Sequence, residues 1–232
     1  MPIASASWRQ TVVDGARQWG LHLSADQVQV MQTHASEMIH WNRTTNLTAI
    51  TEPRDVAVKH YVDALAAAAW LGDATRILDA GTGAGFPGLP LKIVRPDLSM
   101  VLVDSVRKKV SFLKHVIRTL RLNDIEAVHE RLEDLGGLPQ FQRRFDMVLC
   151  RAFSSIEDFA RLALPFIRPG GRLLAMKGPQ ATLSKLVVDQ SGHGTMRCGG
   201  AVFAVRIHRY RLPIVDARRL LVMMKHLPSG DG

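Results

Sequence analysis

The chain has 232 residues, 47% of them hydrophobic, enough for one large domain with its own core and too apolar for a disordered chain. Lys and Arg number 30 against 21 Asp and Glu, and the net +9 points to a polyanionic partner, nucleic acid before membrane, beside the plainer reading of a basic soluble enzyme. Cys150 and Cys198 show no CxxC spacing and the nine histidines no paired spacing, so neither a disulfide framework nor a metal site is expected. The most apolar stretch, 64–71, is far too short to span a bilayer, so the expected location is the cytoplasm.

A first helix is expected over 7–20, with Trp8, Val12 and Trp19 as its apolar members. A second begins at Ser24, an N-cap with Gln27 placed to close a capping box. Val28, Met31, Ala35, Met38 and Ile39 follow at helical spacing. This helix runs into Trp41-Asn-Arg-Thr-Thr-Asn-Leu-Thr48, an octet denser in polar groups than a plain turn. Taken alone, its Asn and Thr side chains read as caps bonding local backbone. Thr51-Glu-Pro53 starts a third helix reaching Trp70, on which Lys59, His60 and Asp63 are placed to face a site, although a satisfied histidine is the commoner fate.

From residue 75 the pattern alternates strand and helix. Strands are expected at 76–79, 100–104, 125–129, 145–150 and 172–176, and helices at 88–94, 106–121, 132–135 and 156–167. Such alternation predicts a parallel sheet with right-handed crossovers. Pro169-Gly170-Gly171 reads as a tight turn feeding the fifth strand, and a polar helix is placed at 181–189. Residues 191–200 read as a mobile loop, and 202–210 with 220–224 as an antiparallel pair on the sheet edge.

The stretch 76–90 organises the rest. Ile77 and Leu78 lead to Asp79, after which Gly81, Gly83 and Gly85 alternate and Pro87 suits a helix start. The loop lacks the third glycine of a dinucleotide fingerprint, having Phe86 there, and it lacks a Walker-type Lys-Ser/Thr. Asp79 fits a pyrophosphate poorly and a head group bearing an ammonium and a sulfonium well. The second run ends in Asp104, at the spacing of a ribose-binding acid. The two acids together read as a site for S-adenosyl-L-methionine, the alternative being a helix cap and an ordinary turn. Ligands of such sheets sit beyond the carboxyl ends of the strands, which nominates Asp79, Asp104, residues 131–134 and Arg151. For Arg151 a structural ion pair is an equal alternative, and Phe153 is more commonly core than stacking platform.

With these residues in place the chain resembles the bacterial small-subunit ribosomal RNA guanine-N7 methyltransferases, the glucose-inhibited division protein B family. The resemblance covers residues 24–178 and, more weakly, the C-terminal hairpin. It rests on Trp41-Asn-x-x-x-Asn-Leu-Thr48, Asp79-x-Gly-Thr-Gly-x-Gly-x-Pro-Gly88, Leu102-Val-Asp-Ser105, Arg131-Leu-Glu133, Cys150-Arg-Ala-Phe153 and Lys177-Gly178. It replaces the structural reading of the octet with a functional one.

The resemblance implies an α/β, Rossmann-like class I methyltransferase fold: a mostly parallel seven-stranded sheet, an antiparallel C-terminal hairpin and a helical N-terminal extension. The expected division is 1–74, packed on the core, and 75–232, the S-adenosylmethionine-dependent domain. Gly81, Phe86, Leu132, Glu133 and Arg151 would contact the cofactor with Asp104 at its ribose, beside Asp79, Gly83 and Gly85 of the loop. Candidate RNA contacts are Asn42, Asn46, His60, Arg107, Lys108, Lys109, Phe153, Lys177 and Arg219. Arg218 stands where the family tends to carry an acid. The implied reaction moves a methyl group to N7 of a guanosine in small-subunit ribosomal RNA, free or in the subunit, by a monomer. Guanine N7 has a lone pair and no proton to lose, so no general base is expected and Arg151 would position the base. A small-molecule methyltransferase and a non-catalytic ribosomal RNA-binding assembly factor remain the alternatives.

Overall fold

The computed structural model describes residues 2–151, 153, 155–179 and 187–227. Their strands form one sheet in the order β3-β2-β1-β4-β5-β9-β8-β7-β6. The strands are β1 (Arg76–Ala80), β2 (Ser99–Asp104), β3 (Ile125–His129), β4 (Phe145–Cys150), β5 (Ile167–Lys177), β6 (Val187–Val188), β7 (His193–Cys198), β8 (Ala201–Leu212) and β9 (Ala217–Leu227). Pairings among β1 to β5 are parallel, and those from β5 outward through β9, β8, β7 and β6 are antiparallel.

The strands alternate their apolar side chains between two faces, as the two-residue period requires. Ile77, Met100, Leu102, Met147, Leu149 and Leu174 enter one core; Leu78, Val101, Val103, Val148 and Leu173 enter the other. The first face carries α1 (Ala6–Arg17), α2 (Ala25–Thr45), α5 (Gly88–Val94) and α6 (Arg107–Thr119). The second carries α8 (Ile156–Ala163), with the short α7 (Leu132–Leu135) beside it. Trp8, Met31, Met38, Tyr61 and Leu65 share the first core with Ile77 and Phe112, so the N-terminal helices and the sheet bury one continuous apolar surface.

The capping box of α2 forms in both directions, Gln27 N donating to Ser24 Oγ at 3.1 Å and Ser24 N to Gln27 Oε1 at 2.9 Å. Gln27 Nε2 also reaches Ile93 O at 3.2 Å, tying α2 to α5.

Several expectations are corrected. The sheet has nine described strands where seven were expected. The supposed loop at 191–200 contains β7, whose residues have no apolar alternation but pair with the outer edge of β8, with Met196 buried. The hairpin of β8 and β9 is therefore not the sheet edge. Free strand edges demand partners, and here the pairing overrides a weak local pattern.

The turn at 169–171 lies inside β5 as an irregularity, with Gly170 at φ +79° and a register shift opposite Phe145 and Met147. The third helix is not uniform: α3 (Pro53–Asp55) leads into a π-helix, Val56–Val62, then α4 (Asp63–Leu65) and a 3-10 turn, Ala68–Trp70. The polar helix expected at 181–189 falls mostly outside the described residues, and Val187–Val188 is strand. Among the described residues no helix is long and apolar enough to cross a membrane.

Candidate cofactor and base-positioning site

Chain order in the sheet reverses between β1 and β4, whose ends lie level: Ala80 is in register with both Val103 and Cys150. The loops leaving β1 and β4 therefore diverge, opening the crevice where ligands of doubly wound sheets bind. Gly81, Gly83 and Gly85 all have positive φ, at 67°, 62° and 93°.

Asp79 is fully buried at the end of β1. Its Oδ2 accepts from Thr82 Oγ1 at 2.7 Å and from Gly88 N at 2.8 Å, so it fastens the loop and caps α5. A side chain at Gly88 would stand 2.7 Å from that oxygen, which is why the position is glycine. Among the described residues, Asp79 Oδ1 has no donor. Burial pushes the Asp79 carboxyl up to about 6, opposed by the Thr82 and Gly88 hydrogen bonds and the Arg151 charge. A buried carboxylate oxygen without a donor suits a ligand that brings a cation.

Asp104, at the end of β2, accepts from Gly83 N at 3.0 Å and Val106 N at 2.8 Å. It lines a cavity of about 220 Å³ with Gly81, Ser105, Arg131, Leu132, Glu133 and Phe153. The cavity thus gathers four of the expected cofactor residues: Gly81, Asp104, Leu132 and Glu133. Phe153, expected on the RNA side, is a wall of this same cavity and packs on Phe159 at 5.4 Å. Gly83 and Gly85 shape the loop from outside it, and a side chain at Gly85 would strike Leu89.

Phe86 and Arg151 do not line this cavity. Phe86 is buried beneath His60, stacked at 4.5 Å between ring centroids, and the Arg151 guanidinium lies 5.1 Å from its ring centre. Arg151 Nη1 donates to Lys59 O at 3.2 Å, and Nη2 to His60 Nδ1 at 3.0 Å. It lines a second cavity, of about 330 Å³, with Ile50, Lys59, Asp63, Lys177 and Arg219. His60 is buried behind Arg151 and does not line this cavity, and burial, with the Arg151 and His34 charges, lowers its pKa to about 3.

The other candidates divide. Asn42 is turned inward, its amide bonding both the N–H and the carbonyl of Thr48 at 2.9 and 3.0 Å. Asn46 closes α2 in the left-handed conformation, at φ 50°. Lys177 Nζ is held by Phe153 O. Arg219 Nε pairs with Asp63 Oδ2 at 3.6 Å. Arg107 and Lys108 are exposed in the first turn of α6, with Lys109 half-buried beside them. Tyr210, which donates to Asp63, went unread in the sequence; the Lys59 carbonyl and Thr48 hydroxyl, on residues already singled out there, reach Arg151 directly or through His60. The signal for Thr48 was the octet itself.

A glycine loop at the switch point, between acids on adjoining strands, places the chain in the class of doubly wound α/β proteins, whose ligands bind beyond the carboxyl ends of a parallel sheet. Solved structures agree on the fold. A SAM-dependent methyltransferase from Aquifex aeolicus is 15% identical with a TM-score of 0.53, covering 78% of this chain and 97% of that one. The particular family follows from sequence. The profile described as GidB, rRNA small subunit methyltransferase G, matches residues 27–191. Proteins named Ribosomal RNA small subunit methyltransferase G are 41% identical in Geotalea uraniireducens, over 94% of this chain and 96% of that one, and 39% identical in Geobacter sulfurreducens, over 90% and 93%. The chain belongs to the rRNA small subunit methyltransferase G family.

Proposed function

We propose that this chain transfers a methyl group from S-adenosyl-L-methionine to N7 of a guanosine in small-subunit ribosomal RNA. Family membership carries the reaction class, and one observation supports the cofactor: the unpartnered, buried Oδ1 of Asp79 one strand away from Asp104. Asp79 would hold the cofactor's ammonium. Asp104 keeps lone pairs for a ribose diol after its two backbone bonds, and Glu133 and Leu132 would border the adenosine. The cofactor supplies an electrophilic methyl group on a sulfonium.

The residues around the second cavity then have to bind the base, align it and keep water away, an orientation effect rather than proton transfer. Arg151 presents its guanidinium there and would bond the O6 edge of guanine, the pairing arginine commonly makes beside N7. His60 offers no spare base: both its nitrogens are engaged. Residues 1–74 would act as a helical extension of the catalytic domain, 75–232, supplying one wall of the base cavity. The protein would work as a cytoplasmic monomer.

The test is methyl transfer from labelled cofactor to a small-subunit ribosomal RNA transcript and to the assembled subunit, with the modified atom mapped by mass and by cleavage specific to 7-methylguanosine. Label on any atom other than guanine N7, or none on either acceptor, would sink the reading.

A further inference from the structure

Thr48 is the last residue of the octet and lies 12 positions before His60. Its hydroxyl oxygen stands 2.9 Å from His60 Nε2 and accepts from Ile50 N at 3.0 Å, while its backbone is gripped on both sides by the Asn42 amide. On the far side of the same ring, Nδ1 is 3.0 Å from Arg151 Nη2. A guanidinium has donors and no acceptor, so Nδ1 must carry the lone pair. The buried imidazole is neutral, so its proton is on Nε2 and is donated to Thr48. The ring itself is clamped flat on Phe86, at an interplanar angle of 10°. Every partner in the row is therefore fixed: Asn42 sets the Thr48 backbone, the Arg151 donor sets the tautomer of His60, and the Thr48 hydroxyl receives the Nε2 proton and holds the ring in place against Arg151.

We infer that Thr48 is a positioning residue for methyl transfer, anchoring the His60 ring by its Nε2–H and so aiming the Arg151 guanidinium into the base cavity. The inference rests on the proposed reaction, which gives Arg151 its task. A hydroxyl at 48 accepts from Nε2–H and leaves Nδ1 open to the arginine. Valine, of similar shape, offers no acceptor, so the buried Nε2–H is left without a partner and the ring is no longer held at that end. The guanidinium bonded to its other nitrogen then loses its aim.

The experiment combines nitrogen-resolved NMR of the His60 ring with single-turnover methylation of a small-subunit ribosomal RNA transcript at saturating cofactor. Wild type should show the Nε2–H tautomer. Thr48→Val should shift the His60 Nε2–H signal as that proton loses its acceptor and slow the transfer step by on the order of ten- to a hundredfold, with cofactor affinity unchanged. Thr48→Ser, which restores the hydroxyl, should keep both tautomer and rate.

An Nδ1–H tautomer in wild type would overturn the inference, whatever the variants do. So would a Thr48→Val protein that turns over at the wild-type rate, or one that slows while the His60 Nε2–H signal stays where it is in wild type. Should Thr48→Val fail to fold, the wild-type tautomer and the Thr48→Ser rate still decide. A wild type that transfers no methyl would instead sink the functional reading, and the active wild type distinguishes the two failures.

Discussion

Tyr210, on β8, donates its hydroxyl to Asp63 Oδ1 at 2.8 Å across 147 positions of chain. The bond joins the C-terminal hairpin to the third helix at the floor of the cavity that holds Arg151. Burial raises the Asp63 carboxyl, and the Arg151 charge, the Tyr210 hydroxyl and Arg219 oppose it. Because the folded value lies above the ordinary one, the native state holds the proton more tightly, and Asp63 lowers stability as pH rises above about 4. Tyr210→Phe removes one of the groups that offset this. It should cost about 1.5–3 kcal/mol where the carboxyl is ionised and less where it is protonated, so the loss should be greater at pH 7 than at pH 4. Urea unfolding at the two pH values checks it, and equal losses at both would contradict it.

Asp79 makes a related prediction for the cofactor. Burial moves its carboxyl from 3.8 to about 6, so its ionised form costs on the order of 3 kcal/mol above pH 6. The native protein binds the extra proton between those values, so stability falls across that window as pH rises. A ligand ammonium stabilises the ionised form and reverses the sign. Affinity for S-adenosylmethionine should therefore climb with pH up to about 6 and level off, with a proton released on binding below that point. Calorimetry in buffers of different ionisation heat measures this. Asp79→Asn should bind cofactor weakly yet be more stable at pH 7.

Gly88 should not tolerate even a methyl group. A Cβ there would lie 2.5 Å from Leu102 Cδ2 and 2.7 Å from Asp79 Oδ2. Gly88→Ala is expected to cost about 1–3 kcal/mol in stability, the usual range for overpacking, and to displace the carboxylate. Thermal unfolding should show the first effect and a cofactor titration the second.

The basic surface should be read by salt. In the hairpin register Arg211 stands opposite Arg218, and both are exposed, a like-charge pairing that weakens a sheet. Asp216, 2.5 Å from Arg211, offsets part of it. Replacing both arginines with glutamine should leave thermal stability equal or higher. If each meets one phosphate of single-stranded RNA, the slope of log affinity against log salt should shrink by about 1.4. Unchanged RNA affinity and slope would assign the phosphate contacts to Arg107, Lys108 and Lys109 instead.

Arg151→Ala should slow single-turnover methylation by on the order of a hundredfold or more, since misplacing a base by about 1 Å costs that much. Arg151→Lys should rescue little, because one ammonium cannot span both Lys59 O and His60 Nδ1. The rate should show no limb belonging to His60, whose pKa lies near 3.

What the sequence determined by itself is what depends on near neighbours in the chain. Gly81, Gly83 and Gly85 announce a loop because positive φ is a local demand, and all three adopt it. Ser24 and Gln27 announce a capping box because its members are three residues apart. The nearly unbroken apolar runs of β1, β2 and β4 announce strands buried on both faces, and the acids closing β1 and β2 announce a crevice.

Tertiary structure decided whatever needs partners far apart in the chain. His193–Cys198 becomes a strand because β8 has an edge to fill, not because its own residues ask for one. Phe153 lines the cavity beside Asp104 and not the one beside Arg151, since nothing local says which way a side chain faces when two elements meet. Arg151 had an equal local claim to an ion pair, and its place against His60, 91 positions away, comes from the third helix packing over the end of β4. Hydrogen bonds of that span are set by how buried faces fit together, and only the packed core chooses among the partners the sequence leaves open.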